Sequence, residues 1–122
     1  MQFEVEPTSG DGAVIRLHGR LDMVAAPRFR ELMTRIVDRE RRTRVVVDLA
    51  GTDFMDSTGL GALISGLKTA RLAGGDLRIA RPGAQVMTVL KLTKLDQILH
   101  PHDTVEECFE LALSVSSPRQ NE

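Results

Sequence analysis

A short apolar run, Val45-Val46-Val47-Asp48-Leu49, is followed across a brief link by Phe54-Met55-Asp56-Ser57-Thr58-Gly59-Leu60-Gly61. That stretch leads directly into apolar residues at helical spacing, Leu60, Leu63, Ile64 and Leu67. The first segment has the β-branched content of a central strand, and the last has the period of a helix. A strand, a tight link and a helix start therefore meet at one hydroxyl, that of Ser57. Ser57 stands where an N-cap belongs, because a side-chain oxygen there can accept from an unpaired N–H of the first turn. Gly59 and Gly61 remove bulk from that turn, so another molecule's backbone could approach closely. Asp56 puts a carboxylate beside the hydroxyl.

The remainder of the chain repeats this alternation. Phe3 and Val5 alternate with Glu4 and Glu6, the pattern of a short half-buried strand. Pro7 to Gly12 is a turn cluster suited to a hairpin, and Ala13 to His18 is a second alternating strand that ends at Gly19-Arg20-Leu21-Asp22. Phe29, Leu32, Met33, Ile36 and Val37 form one apolar face of a helix over about residues 25–41, with Pro27 in its first turn. Arg39, Arg41, Arg42 and Arg44 near its end read either as an anion patch or as a solvated helix end complementing the dipole; Asp38 and Glu40, which interrupt the run, favour the second. Residues 57–72 form the second helix, stopped at Gly74-Gly75. Asp76 to Ala80 is a strand, Arg81-Pro82-Gly83 a turn, and residues 84–93 a third helix. Ile98-Leu99 reads as a short strand ended by Pro101. Asp103 or Thr104 caps a last helix whose apolar face is Val105, Cys108, Phe109, Ala112 and Leu113; Ser114 to Glu122 is a polar, frayed tail. Strands alternating with helices imply an α/β fold with right-handed crossovers.

Composition narrows the function classes. A length of 122 residues favours one domain. A net charge of −1 supplies no long-range field that would select nucleic acid or a membrane surface. Four Phe with no Trp or Tyr are a poor set of stacking platforms for single-stranded nucleic acid. One Cys cannot form an intrachain disulfide. No apolar run is long enough for a membrane span, and the first residues have neither the basic start nor the apolar run of a signal peptide, so a cytoplasmic bacterial protein is expected. No Cys/His cluster has metal-ligand spacing, no P-loop is present, and no cofactor is implied.

Ser57 has three chemical readings. As a nucleophile it would need a base in reach, and none of His18, His100 and His102 is directed to it by the sequence; the Gly-x-Ser-x-Gly elbow also lacks its first glycine. As a phosphate acceptor it is well placed, because a helix N-terminus stabilises an anion, and the added charge would join Asp56, Asp22 and Asp53 in one acidic patch. It could also be only a cap. Met55 and Leu60 beside it are either core or exposed apolar anchors for a partner. Asp48 either bonds a turn or lines the site, and Cys108 reads as core.

Asp56-Ser57-Thr58-Gly59-Leu60-Gly61 after a strand, with Gly19-Arg20-Leu21-Asp22 upstream, resembles the STAS-domain family, and more narrowly the stand-alone anti-sigma factor antagonists of bacteria. The resemblance covers roughly residues 10–113. It implies a single STAS domain over residues 1–113, with residues 114–122 as a tail. It also implies a mixed sheet of about five strands with about four helices mainly on one face. Val45-Val46-Val47, apolar on both faces, fits awkwardly with one open face. The resemblance further implies a substrate and binding module rather than an enzyme. Ser57 would be phosphorylated by an anti-sigma factor with a histidine-kinase-like ATPase fold, with Thr58 the more hindered second hydroxyl. Asp22, Met55, Asp56, Thr58, Gly59, Leu60 and Gly61 would meet that partner, and a serine phosphatase would reset the switch. Neither nucleic acid nor membrane is expected as a partner. The alternative within the same fold is a non-phosphorylated structural subunit of a lipid-transport ATPase complex.

Overall fold

A computed structural model describes residues 1–109. β1 (Gln2–Pro7) and β2 (Gly12–Leu21) form the expected antiparallel hairpin, pairing Phe3 with Leu17 and Val5 with Ile15. β3 (Arg44–Asp48) runs parallel to the first half of β2, with Ile15 opposite Val47. β5 (Asp76–Ala80) runs parallel to β3, and β6 (Pro101–His102) parallel to β5, giving the order β1-β2-β3-β5-β6. β4 (Thr52–Met55) lies off this path. It pairs with the second half of β2, beyond a bulge between Gly19 and Arg20, and sets Leu21 opposite Met55.

α1 (Ala25–Thr34) widens into a π turn over Arg35–Arg39. α2 spans Ser57–Leu72, α3 Ala84–Leu92 and α4 Asp96–Leu99; residues 105–109 are helical. α1 and α2 bury Phe29, Met33, Ile36, Leu63 and Leu67 against Ile15, Leu17, Val47, Leu77 and Ile79 on one face of the sheet. The expected α/β fold with a mixed sheet is present, with six strands rather than about five.

The departures have physical causes. β4 is too short and too irregularly buried to show a period of two: Thr52 and Met55 point in, while Asp53 is exposed. Ile98 and Leu99 belong to α4, not to a strand, and the edge strand is the following Pro101–His102. The first helix ends at Arg39, before the left-handed Arg41 (φ 59°). The second stops as expected, at Gly74 (φ 90°), with the Gly75 N–H donating to the Ala70 carbonyl at 2.8 Å. Thr104, not Asp103, caps the helical residues that follow, accepting from the Glu107 N–H at 3.0 Å. Ala112, Leu113 and the polar stretch Ser114–Glu122 lie outside the described residues.

The apolar character of Val46 on the second face is also explained. Val46 and Ala80 are covered there by Cys108, with Val105 and Phe109 packed alongside. Cys108 is fully buried, as expected of a core residue, and burial pushes its thiol up to about 12. Asp48 ends β3 on the same face, 2% exposed. Arg81 grips it through Nη2–Oδ2 (2.5 Å) and Nε–Oδ1 (3.1 Å); the Ala50 N–H donates at 3.1 Å, and Arg16 Nε lies 3.6 Å away. Asp48 thus bonds a turn and two arginines. Burial pushes its carboxyl up, but the Arg81 hydrogen bonds, the Ala50 N–H and the two guanidinium charges outweigh this and hold it below the ordinary carboxylate range.

Two outcomes follow for stability. Because the folded carboxyl titrates below the unfolded value of about 3.9, its contribution is complete above that pH and fades as pH falls through the folded value. Arg81→Ala is expected to lower stability in urea melts at pH 7, with the difference shrinking in acid as Asp48 protonates. Gly59→Ala is expected to cost about 1–3 kcal/mol in the same melts, because its Cβ would fall on the Leu21 carbonyl of the adjoining strand.

Candidate functional site

β2 and β4 end side by side at Leu21 and Met55, and each releases the chain toward a helix. After Met55 the backbone is extended at Asp56 (φ −106°, ψ −175°) and then enters α2. Asp56, not Ser57, is the N-cap. Its Oδ1 accepts from the Gly59 N–H at 2.8 Å, and its carbonyl accepts from the Leu60 N–H at 2.9 Å. Both residues have capping side chains, so the sequence left the assignment one position loose; the extended backbone at Asp56 settles it. Ser57 is consequently the first helical residue, exposed, and its hydroxyl makes no side-chain hydrogen bond among the described residues. Thr58 beside it is half-buried.

Gly59 and Leu60 are buried and Gly61 half-buried. The bare Cα of Gly59 makes room for the protein's own Leu21 carbonyl rather than for another molecule. Gly61 stands near the Arg30 guanidinium. Met55 is 1% and Leu60 5% exposed, so both are core residues and neither is an exposed anchor. The apolar side chains that do stand out here are Met23 (69%) and Val24 (71%), directly after Asp22. Their signal was available: continuing the α1 face backward puts Ala25 and Ala26 inside and leaves Met23 and Val24 outside.

Asp22 organises the start of α1. Its Oδ1 accepts from the N–H groups of Val24 (3.1 Å) and Ala25 (3.2 Å). The Ala25 N–H foremost, against the cost of desolvation and aided by the Val24 N–H and the Arg20 charge, holds its carboxyl below the usual range. Arg20 Nε lies 3.8 Å from Asp22, and its guanidinium sits 4.0 Å above the Phe54 ring, joining the two strand ends by a cation–π contact. Gln85 on α3 braces the other side, its Oε1 accepting from the Met55 N–H (2.8 Å) and its Nε2 donating to the Met55 carbonyl (3.0 Å). Nothing in the sequence pattern marks Gln85 for this clamp.

Around Ser57 the structure therefore gathers a free primary hydroxyl, the capping carboxylate of Asp56, and the two rigid strand ends from which Asp22 and Asp56 depart. Such a hydroxyl can accept a transferred group, and the open first-turn N–H groups favour an anion there. His18 bonds Glu4 on β1 at 3.0 Å, and His100 and His102 lie at the β6 edge, so none is bonded to Ser57. Among the described residues no group of three or more His, Cys, Asp or Glu could hold a metal, and no helix is long and apolar enough to cross a membrane.

Comparison with known proteins agrees with this architecture. The chain is 28% identical over 103 residues to the anti-sigma F factor antagonist of Paenibacillus polymyxa, covering 84% of this chain and 87% of the relative. It is 28% identical over 108 residues to the anti-sigma-B factor antagonist of Staphylococcus aureus, covering 87% and 98%. Among solved structures, the anti-sigma factor antagonist SpoIIAA in its unphosphorylated form superposes with a TM-score of 0.80 at 23% identity, covering 93% of this chain and 97% of that one. The phosphorylated form of Bacillus SpoIIAA superposes with a TM-score of 0.71 at 23% identity, covering 89% and 97%; both are likenesses of fold. The family model for the STAS domain matches residues 2–108, and the chain belongs to the STAS-domain family.

Proposed function

We propose that the protein is an anti-sigma factor antagonist whose binding is switched off by phosphorylation of Ser57. The observation that carries this reading is the exposed, unbonded Ser57 hydroxyl at the first position of a sixteen-residue helix whose cap is made by its neighbour. The names of the two curated relatives support the role, and so does the shared fold of a protein solved both with and without its phosphate.

In this reading the unmodified protein binds an anti-sigma factor in the cytoplasm and so releases the sigma factor. The anti-sigma factor has a histidine-kinase-like ATPase fold and transfers the γ-phosphoryl of ATP to Ser57 Oγ. The Oγ–P bond forms as the bond to ADP breaks, and the hydroxyl proton leaves. A serine phosphatase hydrolyses the ester and restores the binding form. The contact surface comprises Asp22, Asp56, Thr58 and Gly61, with Met23 and Val24 as apolar anchors in place of the buried Met55 and Leu60. The added charge of about −1.5 to −2 would stand beside Asp56 and make docking unfavourable without requiring a new fold.

Incubation with the cognate kinase and ATP, followed by mass spectrometry, is expected to place the phosphate on Ser57; modification confined to other residues would end the proposal. Ser57→Asp is expected to weaken binding of the anti-sigma factor at least about tenfold by calorimetry, roughly 1.4 kcal/mol. Since Ser57 is not the cap, Ser57→Ala should change stability by less than about 0.5 kcal/mol. Asp56→Ala should cost about 1 kcal/mol in denaturant melts, because it removes the cap itself.

A further inference from the structure

A groove lies between β1 and the outer side of α1. It encloses about 600 Å³. Phe3 and Leu32 form an apolar floor, and the walls carry Arg28, Arg30, Arg35 and Arg39 against one carboxylate, Glu31. Arg28, Arg35 and Arg39 recur seven and four residues apart, so they line one side of the helix. Arg28 is engaged: its Nη1 donates to the Met1 carbonyl at 3.1 Å, and its guanidinium lies 4.9 Å above the Phe3 ring. Arg35 meets Glu40 at 3.4 Å, with both side chains about half exposed. Arg30 and Arg39 have no ion-pair partner among the described residues. Four guanidiniums against Glu31 and Glu40, in a chain whose net charge is −1, are a local excess and not a reflection of overall composition. Glu40 answers Arg35 alone, so an added anion would still ease the repulsion between Arg35 and Arg39, like charges four residues apart.

We infer that this groove docks an extended acidic segment of a partner protein, its carboxylates on the arginines. Charge complementarity argues for an acidic occupant, and the form of the groove argues for a short peptide. Arg28 to Arg39 spans about 16 Å of helix at 1.5 Å per residue. An extended chain covers that length with about five residues. Among the described residues β1 is an edge strand, so its outward N–H and C=O groups can pair with such a segment, whose alternate side chains then face the arginines. A nucleic-acid backbone fits less well: Glu31 stands in the wall, Glu4 and Glu6 project from the opposite face of β1, and Phe3 is already covered by Arg28. The inference does not depend on the phosphorylation reading.

The test uses the full chain and a fluorescein-labelled hexapeptide in which glutamate alternates with leucine, read by fluorescence anisotropy at low salt. The double variant Arg35→Glu/Arg39→Glu is expected to bind at least about tenfold more weakly, and raising the salt should weaken the native protein in the same direction. Arg35→Gln/Arg39→Gln, which removes charge without reversing it, covers the case in which the first variant does not fold, and should also bind several-fold more weakly. Lys68→Glu, a charge reversal on α2, should leave binding within about twofold. Equal affinity of native and arginine-variant proteins would overturn the inference. So would equal or tighter binding of a hexathymidylate, or of the same peptide with glutamine for glutamate.

Discussion

The Leu21 carbonyl is the point on which the arrangement of the site turns. It ends β2, accepts the Asp56 N–H at 3.4 Å, and occupies the space that any side chain at position 59 would take. A glycine there lets the first turn of α2 sit directly on the strand. One residue further on, Asp22 uses its carboxylate to gather the N–H groups that start α1. Two helix N-termini therefore leave from neighbouring strand ends, and at each an aspartate side chain accepts from first-turn N–H groups while others stay open. The bulge after Gly19 turns the second half of β2 so that it pairs with β4 and not with β3, which brings the two ends together. Packing of α1 against α2 over Phe29, Met33, Leu63 and Leu67 then makes this geometry part of the main core.

The opposite face of the sheet follows a different rule. There a buried carboxylate, Asp48, is held by Arg81 and Arg16, and Arg16 also reaches Glu6 at 2.6 Å. Arg81 adopts a left-handed backbone (φ 55°) immediately after β5, a conformation disfavoured for any residue with a Cβ. Two contacts hold it in that conformation: its side chain on Asp48, and its N–H on the His102 carbonyl at 2.8 Å. The charged cluster thus fixes the turn that leads to α3, and α3 carries the Gln85 clamp on Met55. An ion pair on one side of the sheet in this way supports the strand end on the other.

Most of the fold could be read from periodicity, because helices and strands with one buried face write a period into the sequence. The hairpin, α1, α2 and β5 were legible for that reason, and Gly74 marked the end of α2 through its left-handed backbone. Elements that lack a period were not legible. β4 contributes only Thr52 and Met55 to the interior, and α4 is a single turn whose Ile98-Leu99 pair looks equally like a strand. The face of Val46 was ambiguous because its cover, Cys108, lies far along the chain. Around Ser57 the local assignments shifted by one step. Asp56 took the cap expected of Ser57, Met55 and Leu60 fell on the core side of their two readings, and the exposed apolar side chains are Met23 and Val24. Hydrophobicity alone does not say which side of a tight link faces inward. That is decided by the pairing of Leu21 with Met55, a long-range contact with no local signature.

The shift of the cap from Ser57 to Asp56 bears on what a modification at this position could do. Were Ser57 the cap, converting its hydroxyl to an ester would disturb the hydrogen bond that starts the helix. With Asp56 as the cap, the bond to the Gly59 N–H involves no atom of Ser57, and α2 remains anchored through Leu60, Leu63 and Leu67. An added anion would meet two opposed fields. The helix N-terminus favours it, while the carboxylate of Asp56 disfavours it. Both act within the first turn, and Ser57 is solvent-exposed, so neither reaches the core with much strength. The free-energy change is then concentrated on whatever surface approaches that turn, which is the condition for a covalent mark to alter docking while leaving the fold in place.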